Sequence, residues 1–193
     1  AVMFDGYRQQ SSRLIAIATS SGERTTLPSV IQFTLIASLA VAVPWVIAGK
    51  FTCALIGVRT HDAVAAITLT AIYFVVEQLC YALESDLHAQ RKSWIPSTLG
   101  GVDTVLRAIL TVLFFKAFSA NVSLFFLAAL IGQSLKAALL LQLSSSESRL
   151  LGRWFLSHIS NQFNTFVTSL PLAFNGIAPF IVFRGSVIVA NAA

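Results

Sequence analysis

Five ionisable side chains stand inside or at the edge of long apolar runs: Glu77, Asp103, Arg107, Lys116 and Lys136. A charge near the centre of a membrane-crossing helix costs about 2.5–3.5 kcal/mol on insertion scales, so such residues face a bundle interior or a watery cavity. Asp103 and Arg107 have the i, i+4 spacing of a helical ion pair, and Asp103 also suits the N-terminus of its span. Lys116 falls in the last turn of its run, where a long stem can reach the headgroups. Lys136 sits about four residues from the middle of its run, a longer reach at 1.5 Å of rise per residue. Its alternatives are a cavity role and snorkelling to the nearer face. Glu77 is expected at a similar depth. With Tyr81, Glu84 and His88 it forms a polar stripe at i, i+4, i+7 and i+11. Glu77 either balances Lys136 or Arg107, in a structural ion pair or along an interior pathway, or exchanges a coupling cation.

The elements that must hold these groups follow from composition. The chain has 193 residues, 56% hydrophobic and 11% charged, against roughly 45–50% and 25% in soluble domains. A soluble core of this length lacks its charged shell, so lipid is the expected solvent. The net charge of +5 is read through topology, because no basic stripe interleaved with aromatics marks a nucleic-acid surface.

Crossing the hydrocarbon layer takes about 20 apolar residues, and five stretches qualify: 28–49, 63–83, 102–120, 122–143 and 163–183. A sixth begins with SVIVANAA. The fold class is therefore all-α, a polytopic transmembrane helix bundle. Asn121 alone separates the third and fourth runs, which forces an antiparallel helical hairpin. The fifth contains Pro171, Gly176 and Pro179, and a bend there would free carbonyls that lipid tolerates only beside a cavity or inside a bundle. Both ends of the sequence read as cut from a longer protein. The expected organisation is a cytoplasmic segment over 1–27 after a truncated span, four spans over 28–143, a cytoplasmic connection over 144–162, and 163–193 opening a second bundle.

Arg8, Arg13, Arg24, Arg91, Lys92, Arg149 and Arg153 fall in one set of connections, and Lys50, Arg59 and Arg184 in the other. The larger set is expected to be cytoplasmic. Trp45 and Trp94 fit an interfacial belt, while Trp154 belongs to a surface segment, RLLGRWFLSHI. Cys53 and Cys80 fall near opposite faces, too far apart for a disulfide. Gly100 and Gly101 read as a turn before Asp103. The sequence contains no HExxH, CxxC pair, Walker A loop, GxGxxG or GxSxG, and its three histidines sit one per loop. These gaps disfavour an enzyme and imply no cofactor or metal.

The order of features from the second run onward resembles bacterial oligosaccharide flippases of the Wzx type, in the multidrug/oligosaccharidyl-lipid/polysaccharide exporter superfamily. The resemblance rests on YALESDLHAQRKSWIPSTLGGVDTVLRAILTVLFF, where Ala89, Gln90, Arg91 and Arg107 stand at matching places. It continues through FFLAALIGQSLKAALLL and LPLAFNGIAPFIV. It implies two six-helix bundles around a central cavity in a bacterial inner membrane. This piece would supply most of the first bundle. The implied activity is alternating-access transport of a polyprenyl pyrophosphate-linked oligosaccharide for cell-surface polysaccharide synthesis. Arg107, Lys136 and Lys116 would bind the anionic head, and Glu77 would serve coupling to Na+ or H+. The alternatives are a polytopic cell-envelope glycosyltransferase or polymerase, and a drug or small-molecule exporter.

Overall fold

The structure, a computed structural model, describes residues 2–21, 26–55, 61–118, 122–144 and 160–171. Among them it contains six helices and no strand. They are α1 (Val2–Ser21), α2 (Thr26–Leu55), α3 (His61–Ala89), α4 (Trp94–Ala117), α5 (Val122–Leu143) and a shorter α6 over 160–171. Four of these, α2 to α5, are long and apolar enough to cross a membrane. The chain is a helical membrane bundle, as its composition requires.

Helix α3 is the spine, and the other helices are placed by their register on it. Asp62 opens α3 and accepts hydrogen bonds from the Val122 and Ser123 main-chain N–H groups, at 3.2 and 3.1 Å, and from the Ser123 hydroxyl. A carboxylate from one helix thus caps the next-but-one, satisfying donors that a helix start leaves free. Further along, the Cys80 thiol faces the Gln133 carbonyl and Glu84 meets Lys136. Sequence numbers rise together on both helices, so α3 and α5 run parallel. Helix α4 returns antiparallel to α5, with Asp103 and Arg107 beside Gly132, as the short connection predicts. Helix α2 flanks α3 from another side, with Gly49 against Ile67.

The segment expected as a connection before the first span forms α1, packed on α2 and α3. Its Arg8 and Ser12 reach Tyr81 and Ser85. Tyr7 is buried between α2 and α6, where its hydroxyl donates to Gln162 at 3.0 Å and its ring packs on Phe33 and Phe166. Burial pushes that phenol well above its ordinary value, since an ionised tyrosine there would lose its hydration.

The apolar core lies at one end of the bundle, where Ile15, Ile31, Leu83, Leu87 and Leu140 are fully buried. At the other end α2 opens outward, exposing Trp45, Ile47, Phe51 and Leu55. Apolar side chains left outside a bundle are the expected face toward lipid. Pro44 lies within α2 and removes one ladder bond, which membrane helices tolerate.

Three boundaries depart from expectation: the ends of α2 at Leu55 and of α3 at Ala89, and the start of α4. Helix α4 begins at Trp94, not near Val102, and runs unbroken through Gly100 and Gly101. The glycines are therefore no turn, and Asp103 lies more than two turns inside the helix, away from its dipole end. Ile95 and Leu99 pack against the core, and that burial outweighs the roughly 1 kcal/mol each glycine costs a helix. The chain reverses instead after Ala89. There Arg91 takes a left-handed φ of 59°, while the Arg91 and Lys92 N–H groups return to His88 and Leu87 carbonyls. This is a Schellman closure.

Only 163–171 of the fifth expected span is described. Pro179 and Gly176, the rest of that span, the sixth, and Arg24, Arg59, Arg149, Arg153, Trp154 and Arg184 lie outside the described residues. Cys53 and Cys80 are both free thiols.

Candidate functional site, a polar seam through the bundle

A continuous line of polar groups crosses α1, α3, α4 and α5. Its centre is Arg107. The guanidinium is held by Asp103 through Nε, at 2.8 Å, and through Nη2. Nη2 also donates to the Gln133 side-chain oxygen on α5. Nη1 donates to the Tyr73 hydroxyl on α3 at 3.0 Å, with the guanidinium carbon 5.2 Å from that ring's centre. The i, i+4 spacing of Asp103 and Arg107 places both on the face of α4 that meets α5. Gly132 makes the approach possible, because a Cβ there would stand 2.5 Å from Asp103 Oδ1 and 2.9 Å from Arg107 Cγ.

From Tyr73 the line continues along α3. The Tyr73 and Tyr81 hydroxyls both donate to the same Glu77 oxygen, at 3.3 and 3.4 Å. These are single helical turns on either side of the carboxylate, the i ± 4 positions. Tyr81 in turn lies under Arg8 of α1, whose guanidinium carbon is 4.4 Å from the ring centre, a cation–π contact. Glu77 is thus linked to two arginines through two phenols. Among the described residues it makes no direct ion pair.

Lys136 pairs with Glu84 at 2.6 Å, with both side chains largely buried. The expected alternative, Lys136 with Glu77, does not form. The parallel register that sets Cys80 beside Gln133 carries position 136 to position 84, two helical turns beyond Glu77. Depth estimated from the expected span ends failed here because α3 runs on to Ala89. Lys116, in the last turn of α4, is exposed and stands apart from the seam.

Beside the seam a groove of about 560 Å³ opens between α4 and α5. Arg107 and Tyr73 form its polar end, and Thr111, Val112, Phe125 and Phe126 line it toward the α4–α5 connection. About a quarter of the Arg107 side chain remains accessible, 26%, against 8% for Asp103. Arg107 keeps N–H capacity beyond its protein partners, since a guanidinium carries five donors. The arrangement can bind an anion or a polar head at the groove's end. Among the described residues no nucleophile–base pair faces it, and no group of three or more His, Cys, Asp or Glu gathers as metal ligands.

Tyr73, Gln133, Gly132 and Asp62 escaped the sequence reading. Tyr73 carried a signal, being four residues before Glu77 on the stripe already drawn. The other three become meaningful only once α5 is registered against α3 and α4. No protein-family model, curated protein or solved structure matches the chain.

Proposed function

We propose that this chain is part of an alternating-access membrane transporter carrying a polyprenyl pyrophosphate-linked oligosaccharide across a bacterial inner membrane, for cell-surface polysaccharide synthesis. The observation that carries the reading is Arg107, a part-accessible guanidinium at the inner end of an apolar-walled groove. An anionic head entering that groove would meet the one Arg107 N–H left over, the second on Nη1, where excluded water strengthens Coulomb attraction. The apolar walls suit a lipid tail. Lys136 is paired with Glu84 as Arg107 is with Asp103, but it does not line the groove, so its role is to hold α5 on α3. Lys116, exposed near the end of α4, would meet the head on arrival or departure. In this reading the connections carrying Arg91 and Lys92 face the cytoplasm.

The test replaces Arg107 and Asp103 together, as Asp103→Asn with Arg107→Gln, in the full-length protein in cells. Glutamine is shorter than arginine and gives up the bonds to Tyr73 and Gln133, but with Asp103 neutralised as well no buried charge is left unpaired, so insertion is expected at the parent level. Surface glycan is expected to fall at least tenfold, about 1.4 kcal/mol of lost binding or barrier lowering. Normal display from an inserted double variant would remove Arg107 from any substrate role.

A further inference from the structure

We propose that a single ordered water binds in a small polar cavity where α1, α2 and α3 meet, and that it joins α1 to the two longer helices. The inference goes beyond the transporter reading and does not rest on it.

The cavity measures about 20 Å³ and is walled by all three helices. A water needs roughly 10–15 Å³ on this measure, so there is room for one. Ser11 of α1 lines the cavity and is only 2% exposed, and among the described residues its Oγ has no hydrogen-bond partner. A hydroxyl so placed has given up its hydration without replacement, which native structures seldom leave uncorrected.

The other two helices offer it company without contact. Thr34 of α2 and Gln78 of α3 are also buried and line the same space. No hydrogen bond links Ser11 to either. The Ser11 and Thr34 hydroxyls both stand beside the Tyr7 phenol, but that phenol gives its proton to Gln162 at 3.0 Å. Each helix thus brings one polar side chain to a gap one molecule wide. A buried water makes about three hydrogen bonds, and two hydroxyls and an amide, each able to donate and to accept, supply that number.

The walls select water over an ion. No carboxylate lines the cavity, whereas Arg8 does, so a cation would meet the wrong sign. Arg8 is itself exposed and stacked on Tyr81, its guanidinium carbon 4.4 Å from the ring centre. Bulk solvent therefore screens the charge that an anion would need. A bridging water is nearly as good a link as a direct hydrogen bond, and it accounts for polar residues at the joint between α1 and its neighbours.

The test is pulsed X-ray footprinting of the full-length protein in nanodiscs, in which hydroxyl radicals form from water in place and peptide mass mapping locates the oxidation. Rates are normalised to each side chain's intrinsic reactivity. Tyr7 is 2% exposed and Leu83 is fully buried, yet Tyr7 lines the cavity and Leu83 does not. Tyr7 is expected to be oxidised well above Leu83. Ser11→Val fills the cavity and removes its hydroxyl, and Gln78→Leu removes the amide, so in each folded variant the Tyr7 rate is expected to fall to that of Leu83. A Tyr7 as protected as Leu83 in the parent protein would overturn the proposal even if neither variant folds. So would a Tyr7 rate unchanged in either folded variant, since the radicals would then come from outside.

Discussion

Arg107→Ala is expected to lower the unfolding free energy of the bundle by roughly 3–5 kcal/mol, the usual cost of removing one partner from a buried ion pair. Asp103 is what makes the loss large. Its side chain is only 8% accessible, so without the guanidinium a carboxylate is left in an apolar setting with no counter-charge. The lost hydrogen bonds to Gln133 and Tyr73 are the smaller part, since interhelical hydrogen bonds in membrane bundles average about 0.6 kcal/mol. In an Asp103→Asn background the same Arg107→Ala change should therefore cost only about 1–2 kcal/mol. Reversible unfolding of the four proteins in detergent measures the cycle. A strong coupling between the two sites is expected; simple additivity would mean that the pair is solvated and the seam is not buried.

Gly132 should be the least replaceable small residue in α5. Alanine would gain about 1 kcal/mol of helix propensity, yet its Cβ would stand 2.5 Å from Asp103 Oδ1. That oxygen is not a free side-chain tip, because Arg107 Nε holds it at 2.8 Å. Overpacking of this kind costs about 1–3 kcal/mol, so Gly132→Ala is expected to be neutral to mildly destabilising. Gly132→Val adds two methyl groups at the same place and a β-branched helix penalty. It is expected to part α4 from α5, losing more than 3 kcal/mol by the overpacking scale, with the Asp103–Arg107 geometry disrupted. Thermal unfolding of both variants checks the order; a valine variant as stable as alanine would place α4 farther from α5.

How much of this was legible in the sequence differs by element. Val122–Leu143 matches its expected span at both ends, because an apolar run bounded by Asn121 and a serine tract leaves little choice. Helix α4 was legible in its apolar half only. Gly100 and Gly101 argue locally for a turn, and the burial of Ile95 and Leu99 that overrides them is tertiary. The Asp103–Arg107 pair was readable because both partners lie on one helix, four residues apart. Lys136 with Glu84 was not, since a partner on another helix depends on a register that only packing sets. Helix α1 was missed for a related reason. Its sequence is too polar to read as a span, and its apolar stripe of Tyr7, Ile15 and Ala18 becomes a core face only when α2 and α3 are present.

The account depends on α4 presenting its charges to the bundle and its apolar face to lipid. Spin labels placed one at a time along 102–109 of the full-length protein in nanodiscs test this directly, read by collision with lipid-soluble oxygen and with a water-soluble nickel complex. Val102, Val105 and Ile109 are exposed and Asp103 is buried. Oxygen accessibility is therefore expected to peak at 102, 105 and 109 and to fall at 103 and 107, with the nickel complex excluded from the peaks. Oxygen maxima at 103 and 107, or nickel access at 102, 105 and 109, would contradict it.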